Sequence, residues 1–136
     1  VNDSKATNAQ AAEQALRAYP RVYWIAGGVP KADGIDPLLP FMDHVAKAYL
    51  IGDAADAFAG TLAGHVDYTL SGTLDKAVEN ALADAKASGE DDPIILLSPA
   101  CASFDQFKDF EARGEAFKQL VSGLMSEDEK LRAAMT

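Results

Sequence analysis

"LLSPACASFDQFKDFEARG", Leu96 to Gly114, decides the fold. A fully apolar run stops at Pro99 and breaks into small residues around Cys101 and Ser103. An amphipathic pattern follows at once, with Phe107, Phe110, Phe117, Leu120, Val121 and Leu124 on one helical stripe. The segment therefore reads as a buried strand, a tight turn and a buried helix. "SFDQ" has the S-x-x-Q form of a capping box, which predicts Ser103 as N-cap with Gln106 reaching back to it. A helix that starts in this way points its unpaired N–H groups and partial positive charge toward whatever lies beyond the strand.

The same alternation recurs upstream. Apolar runs at Val22–Ala26, Ala48–Ile51, Val66–Leu70 and Ile94–Leu97 predict four strands. Helical patterns separate them at Ala9–Ala18, Pro37–Val45 (Asp36 as N-cap, Pro37 at the first helical position), Asp56–Ala63 and Leu74–Ala87. The Leu74–Ala87 helix places Leu74, Ala77, Val78, Ala81, Leu82 and Ala85 on one face. Strands alternating with helices imply an α/β fold: a three-layer, mostly parallel twisted sheet with helices on both faces. The short runs lack clean polar alternation, as strands covered on both sides should. In such a sheet, ligands bind beyond the carboxyl ends of the strands. The loops after Ala26, Ile51, Leu70 and Leu97 are thus the places to search. "SEDE" at Ser126–Glu129 is another capping-box pattern and predicts a short peripheral helix at 125–136.

Composition narrows the function. The chain has 136 residues, 49% of them hydrophobic, enough for one domain with a core. With 21 acidic against 12 basic residues the net charge is −9, which argues against a sequence-independent grip on nucleic acid and against an anionic membrane surface. A local cluster of donors can still hold a small anion in an acidic protein. One cysteine excludes an internal disulfide and is compatible with a reducing compartment. No apolar run reaches transmembrane length and the N-terminus lacks a signal pattern, so a cytoplasmic location is expected.

The motifs divide into caps, loops and one thiol. "TNAQ", Thr7 to Gln10, repeats the capping device with Thr7 as candidate N-cap, preceded by the polar run "NDSK" containing Asp3 and Lys5. "GGVPKADG", Gly27 to Gly34, follows the first strand and carries Lys31. It is neither G-x-G-x-x-G nor G-x-x-x-x-G-K-[ST], and the second pattern occurs nowhere in the chain. Cys101 sits where a helix N-terminus lowers a thiol pKa, but a nucleophile needs a base, and only His44 and His65 exist, neither in an evident motif. A buried inert thiol is the simpler reading. The scarcity of His and Cys also speaks against zinc. Read from residues alone, this is an acidic α/β domain with an anion site built from helix N-termini and Lys31.

Three segments carry a family resemblance: "VNDSKATN" (Val1–Asn8), "AGGVPK" (Ala26–Lys31) and "LLSPACASFDQFKDFEARGEAF" (Leu96–Phe117). Together they resemble the C-terminal domain of the Mur ligases, in the form of the D-glutamate-adding member. The resemblance runs in order from Val1 to about Leu124, making 1–124 the D-glutamate-binding domain and 125–136 a tail outside it. It implies a three-domain enzyme in which an N-terminal domain holds UDP-N-acetylmuramoyl-L-alanine. A central domain holds ATP and Mg2+ and carries the P-loop, which would explain why this chain has none. The strand that leads into the first motif would be missing or shortened at Val1. By the same resemblance Thr7, Lys31 and Ser103 contact D-glutamate, with the Phe104 amide beside Ser103 and Phe110 bordering the pocket. Asp3 takes the ribose hydroxyls of ATP, and Lys5 lies near the nucleotide. Cys101 matches a cysteine without nucleophilic role, and Phe104 stands where leucine is common. The isolated domain is expected to be inactive, with no catalytic residue and no bound cofactor of its own. The competing readings are a freestanding carboxylate- or nucleotide-binding regulatory module and a small hydrolase using Cys101.

Overall fold

Four parallel strands lie in the order β3-β2-β1-β4, with β1 at Val22–Gly27, β2 at Val45–Ile51, β3 at Tyr68–Gly72 and β4 at Ile95–Leu97. They come from a computed structural model that describes residues 1–29, 34–101 and 106–124. Among the described residues four α-helices surround the sheet: α1 (Ala9–Ala18), α2 (Ala55–Leu62), α3 (Leu74–Ala87) and α4 (Phe110–Leu124). The α/β arrangement read from the alternating pattern is thus the one observed. Val1–Asp3 extends the sheet past β4: Asn2 forms a parallel bridge with Leu97, the Leu97 amide donates to the Val1 carbonyl at 2.8 Å, and the Asp3 amide donates to the Leu97 carbonyl at 2.7 Å.

Alternation along β1 explains the two-sided core. Val22, Trp24 and Ala26 point to one face and pack with Leu16 of α1, Leu38, and Phe58 and Leu62 of α2. Tyr23 and Ile25 point to the other and pack with Leu74, Val78 and Ala81 of α3 and Phe117 of α4. All six residues of β1 are buried, which is why its sequence shows no polar alternation. Burying a side chain such as Ile25 or Leu50 contributes about 1.5–3 kcal/mol.

Four expectations need correction. Pro37–Val45 is a 3₁₀ segment, Asp36–His44, and Asp36 is its first residue rather than its cap. Pro40 lies inside it and supplies no N–H, so an α-helical ladder cannot run through. Strand β2 begins at Val45, ahead of the expected Ala48, because Lys47 interrupts the apolar run yet reaches Asp84 on α3 at 3.2 Å. Strand β3 is not covered on both sides: it is an edge strand, with Tyr68 and Leu70 exposed. Helix α4 begins at Phe110, not directly after Ser103. The Asp109 carboxylate accepts from the Ala112 amide at 2.7 Å, the bond an N-cap makes, and an aspartate fills that role as well as a serine. The expected helix at 125–136 lies outside the described residues.

Candidate functional site

The carboxyl ends of the strands open onto one edge, and the turn after β1 shapes it. Gly27 has φ +130°, and a Cβ there would lie 2.0 Å from the Ile51 carbonyl oxygen, so no other residue fits. This close approach lets the backbone of neighbouring loops bond directly. The Gly27 amide donates to Pro99 O at 3.0 Å and the Gly28 amide to Ile51 O at 3.1 Å. The Ala54 amide donates to Gly28 O at 2.9 Å, and the Gly52 amide to Gly72 O at 2.9 Å. Gly72 O also accepts from the Gln106 side chain at 2.7 Å. Gln106 therefore ties the segment after β4 to the end of β3, while its expected partner Ser103 lies outside the described residues.

The first and third sequence motifs meet on this edge. The Ala100 amide donates to Ala6 O at 2.9 Å, and the Ser98 hydroxyl donates to Asp3 Oδ2 at 2.8 Å. Ser4 is buried and its hydroxyl donates to the Phe110 carbonyl at 2.6 Å. Arg113 is the residue that sequence reasoning missed. It is 1% exposed, and donates through Nε to Ser4 Oγ at 2.9 Å and through Nη2 to Ser4 O at 2.7 Å. A signal existed, because Arg113 falls on the stripe between Phe110 and Phe117, where a charge needs a buried partner.

Of the predicted site residues, Asp3 is half-buried, Lys5 exposed, Thr7 half-buried and Phe110 40% exposed, leaving its ring accessible at this edge. Thr7 is not the N-cap of α1. Asn8 has the extended backbone of a cap and accepts from the Ala11 amide at 2.8 Å, so Thr7 precedes the cap and its hydroxyl is not spent on it. Lys31, Ser103 and Phe104 lie outside the described residues. The structure thus brings Asp3 beside the Ser98 turn and Phe110 beside Ser4.

An open groove of about 600 Å³ adjoins the edge between the start of α3 and α4, lined by Thr73, Leu74, Asp75, Gln106, Phe107 and Leu120 among others. The Thr73 hydroxyl donates to the Asp75 carboxylate and holds its pKa below the usual range. Cys101 is fully buried, and His44 is committed elsewhere: its Nδ1 lies 2.8 Å from Leu16 O and 3.0 Å from Tyr19 O at the end of α1. Both partners are carbonyls, so Nδ1 carries the proton and caps the helix. Neither fact suits a thiol nucleophile. Among the described residues no three His, Cys, Asp or Glu side chains come together as a metal site. No helix among them is long and apolar enough to cross a membrane.

Comparison with known proteins adds what geometry leaves open. No protein-family model matches the chain. Over 124 residues, 91% of its length, the chain is 67% identical to UDP-N-acetylmuramoylalanine–D-glutamate ligase of Caulobacter vibrioides (strain NA1000 / CB15N). The ligases of the same name from Mesorhizobium japonicum and Phenylobacterium zucineum are 60% and 59% identical over the same length. The matched part is the C-terminal region, and the chain spans about a quarter of these relatives, 26% of the Caulobacter protein.

Proposed function

We propose that this chain, which matches the C-terminal region of the UDP-N-acetylmuramoylalanine–D-glutamate ligases, is the part of such an enzyme that positions D-glutamate and completes the ATP site. The observation that carries this reading is the convergence of the first and third motifs at one sheet edge, through Asp3–Ser98, Ala6–Ala100 and Ser4–Phe110. Ligands of a parallel sheet bind at that edge. In this reading 1–124 is the D-glutamate-binding domain and 125–136 a peripheral tail.

The reaction is amide-bond formation. ATP phosphorylates the carboxylate of UDP-N-acetylmuramoyl-L-alanine, giving an acyl phosphate and ADP. The amine of D-glutamate attacks the acyl carbon, and the tetrahedral adduct expels phosphate as the amide forms. This chain's residues hold the amino acid for that attack. Lys31 pairs with one carboxylate of D-glutamate. The Ser103 hydroxyl and the Ser103 and Phe104 amides take the other, Thr7 adds a hydroxyl and Phe110 borders the pocket. Charge-assisted bonds of this kind are about twice as strong as neutral ones and fix orientation. The contribution is proximity rather than proton transfer. Asp3 accepts from the ribose hydroxyls, and Lys5 lies near the nucleotide. Mg2+ would supply charge screening at the phosphates when bound, and its ligands would lie in the part of the ligase that holds the phosphates rather than in this chain. In this reading the chain works in the cytoplasm on small-molecule substrates, without nucleic acid or membrane partners.

Two experiments test this. In the ligase carrying this chain, Lys31→Ala and Ser103→Ala each raise the KM for D-glutamate at least tenfold, and an unchanged KM in both removes the assignment. Calorimetry on the 136-residue chain gives no tight binding of D-glutamate or ATP. Micromolar affinity would favour the regulatory module, and turnover by the chain alone would refute its role as part of a larger enzyme.

A further inference from the structure

We propose that Ser98 is a positioning residue for the nucleotide: it holds the Asp3 carboxylate in the orientation that receives the ribose. This rests on the reading of Asp3 given above. Ser98 is fully buried directly after β4, and its hydroxyl donates to Asp3 Oδ2 at 2.8 Å. Its own backbone is fixed from both directions by β1. The Ser98 amide donates to Ile25 O at 3.2 Å, and the buried Trp24 ring donates through Nε1 to Ser98 O at 2.8 Å. Asp3 is likewise held through its amide to Leu97 O. The carboxylate is therefore referenced to the central strand of the sheet.

A hydroxyl has one proton, and Ser98 directs it to a single oxygen of Asp3. Among the described residues Asp3 Oδ1 has no hydrogen-bond partner, and Asp3 is only half-buried. One oxygen is thus held by Ser98 and the other is left to accept from a ligand, the division needed to accept from a vicinal diol without the carboxylate rotating. Serine suits the position because it is small enough for a fully buried turn that presses against Trp24. Alanine would keep the packing and release the carboxylate.

The test uses the ligase carrying this chain, with ATP and 2′,3′-dideoxy-ATP as alternative nucleotides. Asp3→Ala raises the KM for ATP and abolishes the preference for ATP over the dideoxy analogue. If Asp3→Ala leaves that preference intact, the assignment of Asp3 falls and this proposal with it. Ser98→Ala raises the KM for ATP about tenfold, narrows the preference by a similar factor, and leaves the KM for D-glutamate within twofold. Ser98→Thr, which keeps a hydroxyl, retains the preference. If Asp3→Ala loses the preference while Ser98→Ala keeps it, Asp3 binds ribose without help from Ser98 and the proposal is overturned. Equal loss in the Ala and Thr variants marks packing alone and also overturns it. Should Ser98→Ala fail to fold, Ser98→Gly carries the same comparison.

Discussion

Ser4→Ala removes one oxygen atom and two bonds. The Ser4 hydroxyl donates to Phe110 O at 2.6 Å and accepts from Arg113 Nε at 2.9 Å, and residues 4 and 113 are both buried. A neutral hydrogen bond contributes about 1 kcal/mol net and one to a charged group about 1.5–3 kcal/mol. Their sum is about 2.5–4 kcal/mol. The Arg113 bond dominates, because its Nε loses an acceptor where water does not reach. The bond from Nη2 to the Ser4 carbonyl survives, since it uses backbone, and it keeps the loss from being larger. For a domain of this size, the loss corresponds to a fall in Tm of roughly 8–15 °C. Urea unfolding of the 136-residue chain, followed by far-UV circular dichroism, measures it. A cycle with Arg113→Met isolates the pair and should return a coupling of at least about 1 kcal/mol. A loss under about 1 kcal/mol with no coupling would show that this joint between the first motif and α4 does not hold the fold together.

Gly27→Ala should cost at least about 3 kcal/mol or prevent soluble expression, because the added Cβ meets the Ile51 carbonyl at 2.0 Å; a variant of unchanged urea midpoint would contradict the geometry. Gly60→Ala, in the middle of exposed α2 surface with nothing within 4 Å, should instead stabilise by about 0.5–1 kcal/mol in the same measurement. The Tyr49 hydroxyl has its pKa raised by burial and by its bond to Asp84 at 2.7 Å. Its contribution is therefore fully present below the unfolded tyrosine value near pH ~10 and is lost as pH rises toward the folded value. Urea midpoints between pH 8 and pH 11 should fall more steeply for the wild type than for Tyr49→Phe, and parallel slopes would count against the buried phenol. Iodoacetamide at neutral pH should label Cys101 only in denaturant, and rapid labelling of the native chain would reopen the thiol-enzyme reading.

Much of this was legible wherever the signal is local. Leu74–Ala87 has an apolar stripe and ends where the stripe ends, so its bounds match. Val22–Gly27 is apolar throughout, and the structure shows why, with helices on both sides. Caps were harder. Thr7 and Asn8 are chemically alike as caps, and the extended backbone and the bond from the Ala11 amide identify Asn8. Contacts across long separations leave no mark in a short window. Gln106 bonds a residue 34 positions away, and Ser98 meets Asp3 across 95. Arg113 drew no reading because "KDFEARGE" is dense in charge, although its phase on the helix places it inward.

The backbone bonds that join Gly27 to Pro99, Gly28 to Ile51 and Ala54, and Gly52 to Gly72, with Gln106 closing onto Gly72, form a circuit through all four loops. Such a circuit has no free end from which to fray. To open one loop, the amides of its neighbours must open too, so Gly27, Gly28, Gly52 and Ala54 should exchange their hydrogens together, as one cooperative unit. Whatever occupies one part of the edge then stiffens the rest, because the backbone at Gly27 and Gly28 is tied to Pro99, Ile51 and Ala54.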